Sequence, residues 1–206
     1  MNLRFSGREL RDLAIAWLAL GLAFTLLQHR DLLFDATNPQ ALAAFAEGMA
    51  LSLLTVGVGF LLHELAHKVV AVRFGQIAEF RADYSMLFLA VMGGLVGFLF
   101  AAPGAVHHRG RITMRENGLI ALAGPVTNVV LAVVFAVPWL LFGGYLGRIG
   151  SLGVFINVFL AGFNMIPWGP LDGKKVLRWS KPVFAVTFVP TAGLAALLMF
   201  GLPLLL

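Results

Sequence analysis

The run Gly48–Leu62, GMALSLLTVGVGFLL, carries no charge, and it leads directly into His63-Glu64-Leu65-Ala66-His67. This stretch decides the fold. A 15-residue apolar run continuing through the motif to Val72 is long enough to be a membrane-spanning helix. On a helix, positions i and i+4 share one face, so His63 and His67 can grip one metal ion. Glu64 lies beside them and can take a proton from an activated water. Ionisable residues at membrane depth are costly and mark functional sites. Metal binding is the simplest reason for two histidines and a glutamate to end such a run.

Composition agrees with a membrane protein. The chain has 206 residues, is 60% hydrophobic and is only 12% charged, with a mean hydropathy of +0.90. A soluble domain is about 25% charged. The formal net charge of +5 points to basic loops at one membrane face rather than to nucleic acid. There are no cysteines, so disulfides and thiolate ligands are excluded. Any zinc site must use His, Asp or Glu. The first apolar run, Leu13–Leu27, follows Arg4, Arg8 and Arg11 but has no small-residue cleavage site close behind it, and reads as an uncleaved first span.

The weakly charged segments are Leu13–Leu27, Gly48–Leu62, Tyr84–Val106, Gly118–Gly147, Ile149–Leu171 and Val183–Leu206. The third differs from the rest. Glu79 to Tyr84, just before it, alternates charged and apolar residues like a half-exposed strand. The segment itself holds Gly93-Gly94, Gly97 and Pro103-Gly104, which suit bends and hairpins. If Tyr84–Val106 does not cross the membrane, 13 of the 15 basic residues fall on one side, and only Arg30 and Arg148 on the other. The positive-inside rule then makes the first side cytoplasmic. A hydrolytic zinc site takes three protein ligands and leaves a fourth position for water. Asp172, at the end of an apolar span, is the best third ligand; His107 and His108, in a basic loop, are its rivals. His67 and Asp172 can meet only if an even number of crossings separates them, which again makes Tyr84–Val106 a re-entrant or membrane-surface β-hairpin. The expected architecture is all-α and polytopic, with about five transmembrane helices plus that hairpin region, in a single membrane domain over residues 1–206.

Three ordered motifs sharpen the reading. They are His63-Glu64-Leu65-Ala66-His67, Ala123-Gly124-Pro125-Val126-Thr127-Asn128, and Asn164-x-x-Pro167-x-x-Pro170-Leu171-Asp172-Gly173. Together they resemble the site-2 protease family of intramembrane zinc metalloproteases, over roughly Gly48 to Trp179. Ala102-Pro103-Gly104-Ala105-Val106 looks like archaeal and bacterial members. The resemblance implies one Zn2+ held by His63, His67 and Asp172, Glu64 as general base, and Asn164 stabilising the oxyanion. It implies that Gly124, Pro125 and Asn128 belong to a core span beside the site. The expected partners are transmembrane protein substrates and the lipid bilayer, with no nucleic acid. The expected location is the cell membrane, with the N-terminus and the active-site face cytoplasmic. Many members carry a PDZ domain or a CBS pair; this chain has room for neither and looks like a minimal catalytic unit over about 48–179. The rival readings are a metal-ion transporter, which would show inverted repeats, and a non-catalytic zinc-binding scaffold.

Overall fold

Ser6 accepts a hydrogen bond from the Glu9 amide and so caps the first helix, α1 (Gly7–His29). In the computed structural model, which describes residues 3–30, 38–98 and 103–201, the chain continues as α2 (Pro39–Ser52), a π-helical turn (Leu53–Gly57) and α3 (Val58–Arg73). Strand β1 (Ile77–Ala82), α4 (Tyr84–Val96) and β2 (Gly104–Arg109) follow. The remainder is helical: α5 (Met114–Leu141), α6 (Gly144–Asn164), α7 (Asp172–Trp179) and α8 (Lys181–Ala196). Among the described residues, five helices are long and apolar enough to cross a membrane: α1, the continuous helix Pro39–Arg73, α5, α6 and Lys181–Met199. This is a multi-pass architecture with a small antiparallel sheet.

Two compact units interleave along the sequence. Among the described residues, one draws on 4–61 and 79–107, the other on 62–78 and 108–201. In the first, α1 packs on α2 and α4. The carboxylates of Glu9 and Asp12, both buried, accept from the β1 amides of Phe80 (3.0 Å) and Ala82 (3.4 Å). These residues are two apart and share one strand edge. The opposite edge of β1 pairs with β2, so both its edges are occupied. Satisfying buried backbone donors in this way justifies placing two carboxylates in a first span.

The segment read as a hairpin has a different local structure. Tyr84–Val96 is an α-helix, capped by Asp83 and ended by Gly97 in the left-handed conformation. Its 13 residues span about 20 Å, short of the roughly 30 Å of a bilayer core. Gly93-Gly94 does not break it, because a Cβ on Gly94 would overlap the Ala23 carbonyl of α1. Close packing overrides the poor helix propensity of glycine there. The strands flank this helix, and the Asp83 amide donates to the Pro103 carbonyl at 3.0 Å. The chain therefore leaves and rejoins the sheet at neighbouring points. The described part of Tyr84–Val106 thus holds no helix long enough to cross a bilayer core.

In the second unit, Thr113 and Glu116 form a capping box that starts α5. The turn into α6 falls at Phe142–Gly143, with Gly144 at φ +61°. Arg148 therefore lies inside α6 rather than in the loop that its charge suggested. Gly150 and Gly153 let α6 approach α5: a Cβ at either would run into Trp139 or Phe135. Small residues at such contacts replace the hydrophobic drive that lipid cannot supply. Met165, Ala121 and Val176 pack together with Trp179 and Phe184, seating α7 against α5 and α8.

Candidate metal centre

His63 and His67 stand one turn apart on α3, as the motif spacing dictates. Their Nε2 atoms lie 2.9 Å apart. Asp172 is the first residue of α7, and its Oδ2 lies 3.3 Å from His63 Nε2 and 3.1 Å from His67 Nε2. All three side chains are buried, and they are the one group of potential metal ligands found among the described residues. The rivals His107 and His108 sit on β2 and do not join the group.

The opposite ring nitrogens explain why this cluster needs a cation. His67 Nδ1 lies 2.7 Å from the Ile120 carbonyl, which can only accept, so Nδ1 carries the proton. His63 Nδ1 lies 2.5 Å from Asn128 Oδ1 and donates likewise. Both Nε2 lone pairs therefore point at each other and at a carboxylate oxygen. Three buried acceptors without a donor repel one another unless positive charge lies between them. Two neutral imidazoles and a carboxylate form a ligand set that suits zinc, with a fourth position to spare.

Two glycines shape the cradle. A Cβ on Gly124 of α5 would lie 2.5 Å from Nε2 of both histidines, in the space beside the ligands. A Cβ on Gly173 would overlap the Met165 carbonyl, so glycine there lets the first turn of α7 close behind Asp172. The other oxygen of Asp172, Oδ1, faces the Lys175 ammonium at 3.5 Å.

Glu64 is buried beside His63 in sequence. Asn164 is the last residue of α6, and its amide donates to the Leu160 carbonyl of its own helix at 3.0 Å. Sequence reading missed Asn157. It lies fully buried on α6 and joins Asn128 through a 2.9 Å hydrogen bond. An amide in an otherwise apolar run was the available signal.

Comparison with known proteins agrees with this chemistry. A protein of Methanocaldococcus jannaschii named "Putative zinc metalloprotease MJ0611" is 44% identical over 201 residues, covering 96% of this chain and 97% of its own length. The chain belongs to this zinc metalloprotease family. YwhC of Bacillus subtilis, named in the same terms, is 30% identical to this zinc metalloprotease over 61% of the chain and 66% of its own length. "Zinc metalloprotease MJ0392", also of M. jannaschii, is 29% identical over 59% of the chain and 31% of its own length. No family model matches the chain, and no solved structure does. The relatives' names agree with the resemblance to site-2 proteases read from the motifs, and they imply zinc for the cluster His63, His67 and Asp172.

Proposed function

We propose that this zinc metalloprotease is of the site-2 type and hydrolyses peptide bonds within or near the transmembrane segments of membrane-protein substrates. The observation that carries the reading is the buried His63–His67–Asp172 cluster, with both histidines on a continuous apolar helix long enough to cross a bilayer. When bound, zinc supplies Lewis acidity that brings the pKa of water from about 15.7 toward about 7. Glu64 takes the proton of the attacking water and returns it to the leaving amine. The Asn164 amide turns a donor toward the developing oxyanion. With Tyr84–Val106 not crossing, 13 of the 15 basic residues fall on the motif's side by the count of spans, which favours a cytoplasmic active-site face. Substrates must unwind to expose a carbonyl. An extended segment would bind by strand addition.

The test is cleavage of a single-span model substrate by the purified protein in detergent, beside Glu64→Gln and with 1,10-phenanthroline. The expected result is cleavage by the wild type alone, with Glu64→Gln retaining zinc. Cleavage that survives Glu64→Gln removes Glu64 as the base and defeats the reading.

A further inference from the structure

We propose that Asn157 is a positioning residue for the metal centre: it fixes which face of the Asn128 amide meets His63, and thereby which nitrogen of His63 is free to bind metal. This inference rests on the metalloprotease reading and extends it to a residue outside all three sequence motifs.

The argument runs inward from a backbone carbonyl. Gly153 O can only accept, so the Asn157 atom facing it at 2.9 Å must be the amide nitrogen. Asn157 Oδ1 then points the other way, and it meets Asn128 at 2.9 Å as an acceptor. Asn128 must present its own nitrogen there. Its oxygen is left facing His63 Nδ1 at 2.5 Å. An oxygen at that position requires the proton on Nδ1 and leaves the Nε2 lone pair directed at His67 and Asp172. The orientation of one amide on α6 thus sets the tautomer of a ligand on α3.

Without Asn157, the Asn128 amide loses the buried acceptor that draws its nitrogen toward α6, and its two faces are of almost equal shape. Turned over, it would offer a nitrogen to His63 Nδ1 and favour the proton on Nε2, which cannot bind metal. His67 needs no such device, because its partner is the Ile120 backbone carbonyl, which cannot turn over. Both asparagines are fully buried, so water cannot replace the lost partner without entering the bundle. Partners of metal-bound histidines typically contribute about 10–100-fold to metal affinity or activity.

The experiment measures zinc affinity by chelator competition, and the visible spectrum of the cobalt-substituted protein, in purified full-length variants. Asn157→Leu removes the amide at nearly constant volume, and the expected result is an affinity loss of about 10–100-fold with a weakened tetrahedral cobalt spectrum. The double variant Asn128→Asp with Asn157→Leu is the deciding arm. A carboxylate has two equivalent oxygens and needs no orienting partner, so affinity should return to within a few-fold of Asn128→Asp alone. A merely structural role for Asn157 predicts no rescue. Should Asn157→Leu fail to fold, Asn157→Ser replaces it: the hydroxyl back-bonds to Gly153 O and falls short of Asn128, and the same loss is expected. Wild-type affinity in Asn157→Leu or Asn157→Ser, or a double variant as weak as the single one, overturns the proposal while leaving the protease reading intact. Failure of the wild type itself to bind zinc would instead overturn that reading.

Discussion

Replacing Gly124 with alanine tests the metal cradle directly. The added Cβ would lie 2.5 Å from His63 Nε2, His63 Cε1 and His67 Nε2, a shortfall of about 0.9 Å against the 3.4 Å at which ordinary contact begins. The rings cannot simply turn aside. His67 is tied to Ile120 and His63 to Asn128, and both partners ride on the same helix as Gly124. Either α5 retreats from α3 and stretches both hydrogen bonds, or the rings rotate and lose them. Metal sites tolerate errors of about 0.2 Å in ligand distance, so a displacement several times larger should abolish tight binding. The fold should survive, since one extra buried methyl costs about 1–3 kcal/mol. The assay is zinc content after a chelator wash, with thermal unfolding in detergent run in parallel. Gly193→Ala on α8 is the control, because a Cβ there meets nothing within 4 Å. We expect Gly124→Ala to be folded, depleted of zinc and about 100-fold less active, the upper end of the scale that partners of metal ligands command. Full zinc occupancy in folded Gly124→Ala would refute the geometry from which the site is argued.

Other expectations follow from single contacts. Asn164→Ala should keep its zinc and lose about 10²–10³ in kcat, the usual effect of removing one oxyanion donor; an unchanged rate with a cleavable substrate would remove Asn164 from the chemistry. Tyr84 donates to Asp12 at 2.6 Å, and this bond first, then burial, raises the phenol pKa above its ordinary value near 10. The contact therefore stabilises the fold fully below about pH 10 and is lost as pH rises through the higher folded value. The chain has two tyrosines, so Tyr145→Phe leaves one phenol to follow by ultraviolet absorbance. A midpoint at or below 10 in the folded protein would contradict the Asp12 contact.

The parts of this molecule that were legible in the sequence are those set by chain-local periodicity. Four residues of helix bring His63 to His67, whatever packs around them. Asp172 was legible as the third ligand from its place at the end of an apolar span, and the structure groups it with both histidines. Tyr84–Val96 was illegible as a helix because its glycines signal a bend when read locally; their role is to admit the Ala23 carbonyl, which depends on packing. Arg148 misplaced a loop for a similar reason. Its charge suggested an end, whereas Gly143-Gly144 had the backbone freedom to make one. Asn157 lay deepest, because its meaning depends on the rotation of α6 against α5, which no spacing in the sequence fixes.

The neutral character of the histidines' partners has a physical reason. Once bound, zinc with the Asp172 and Glu64 carboxylates would sum to no net charge within the site itself, the half-exposed Lys175 ammonium lying at its rim, and such a set is held in an apolar surround at least cost. Soluble zinc sites commonly orient their histidines with carboxylates. A further carboxylate here would leave the centre negative and raise its desolvation penalty. A backbone carbonyl at Ile120 and an amide at Asn128 supply the same acceptor oxygen without the charge. The amide, unlike a carboxylate, has to be held the right way round, and the need for Asn157 arises from that asymmetry.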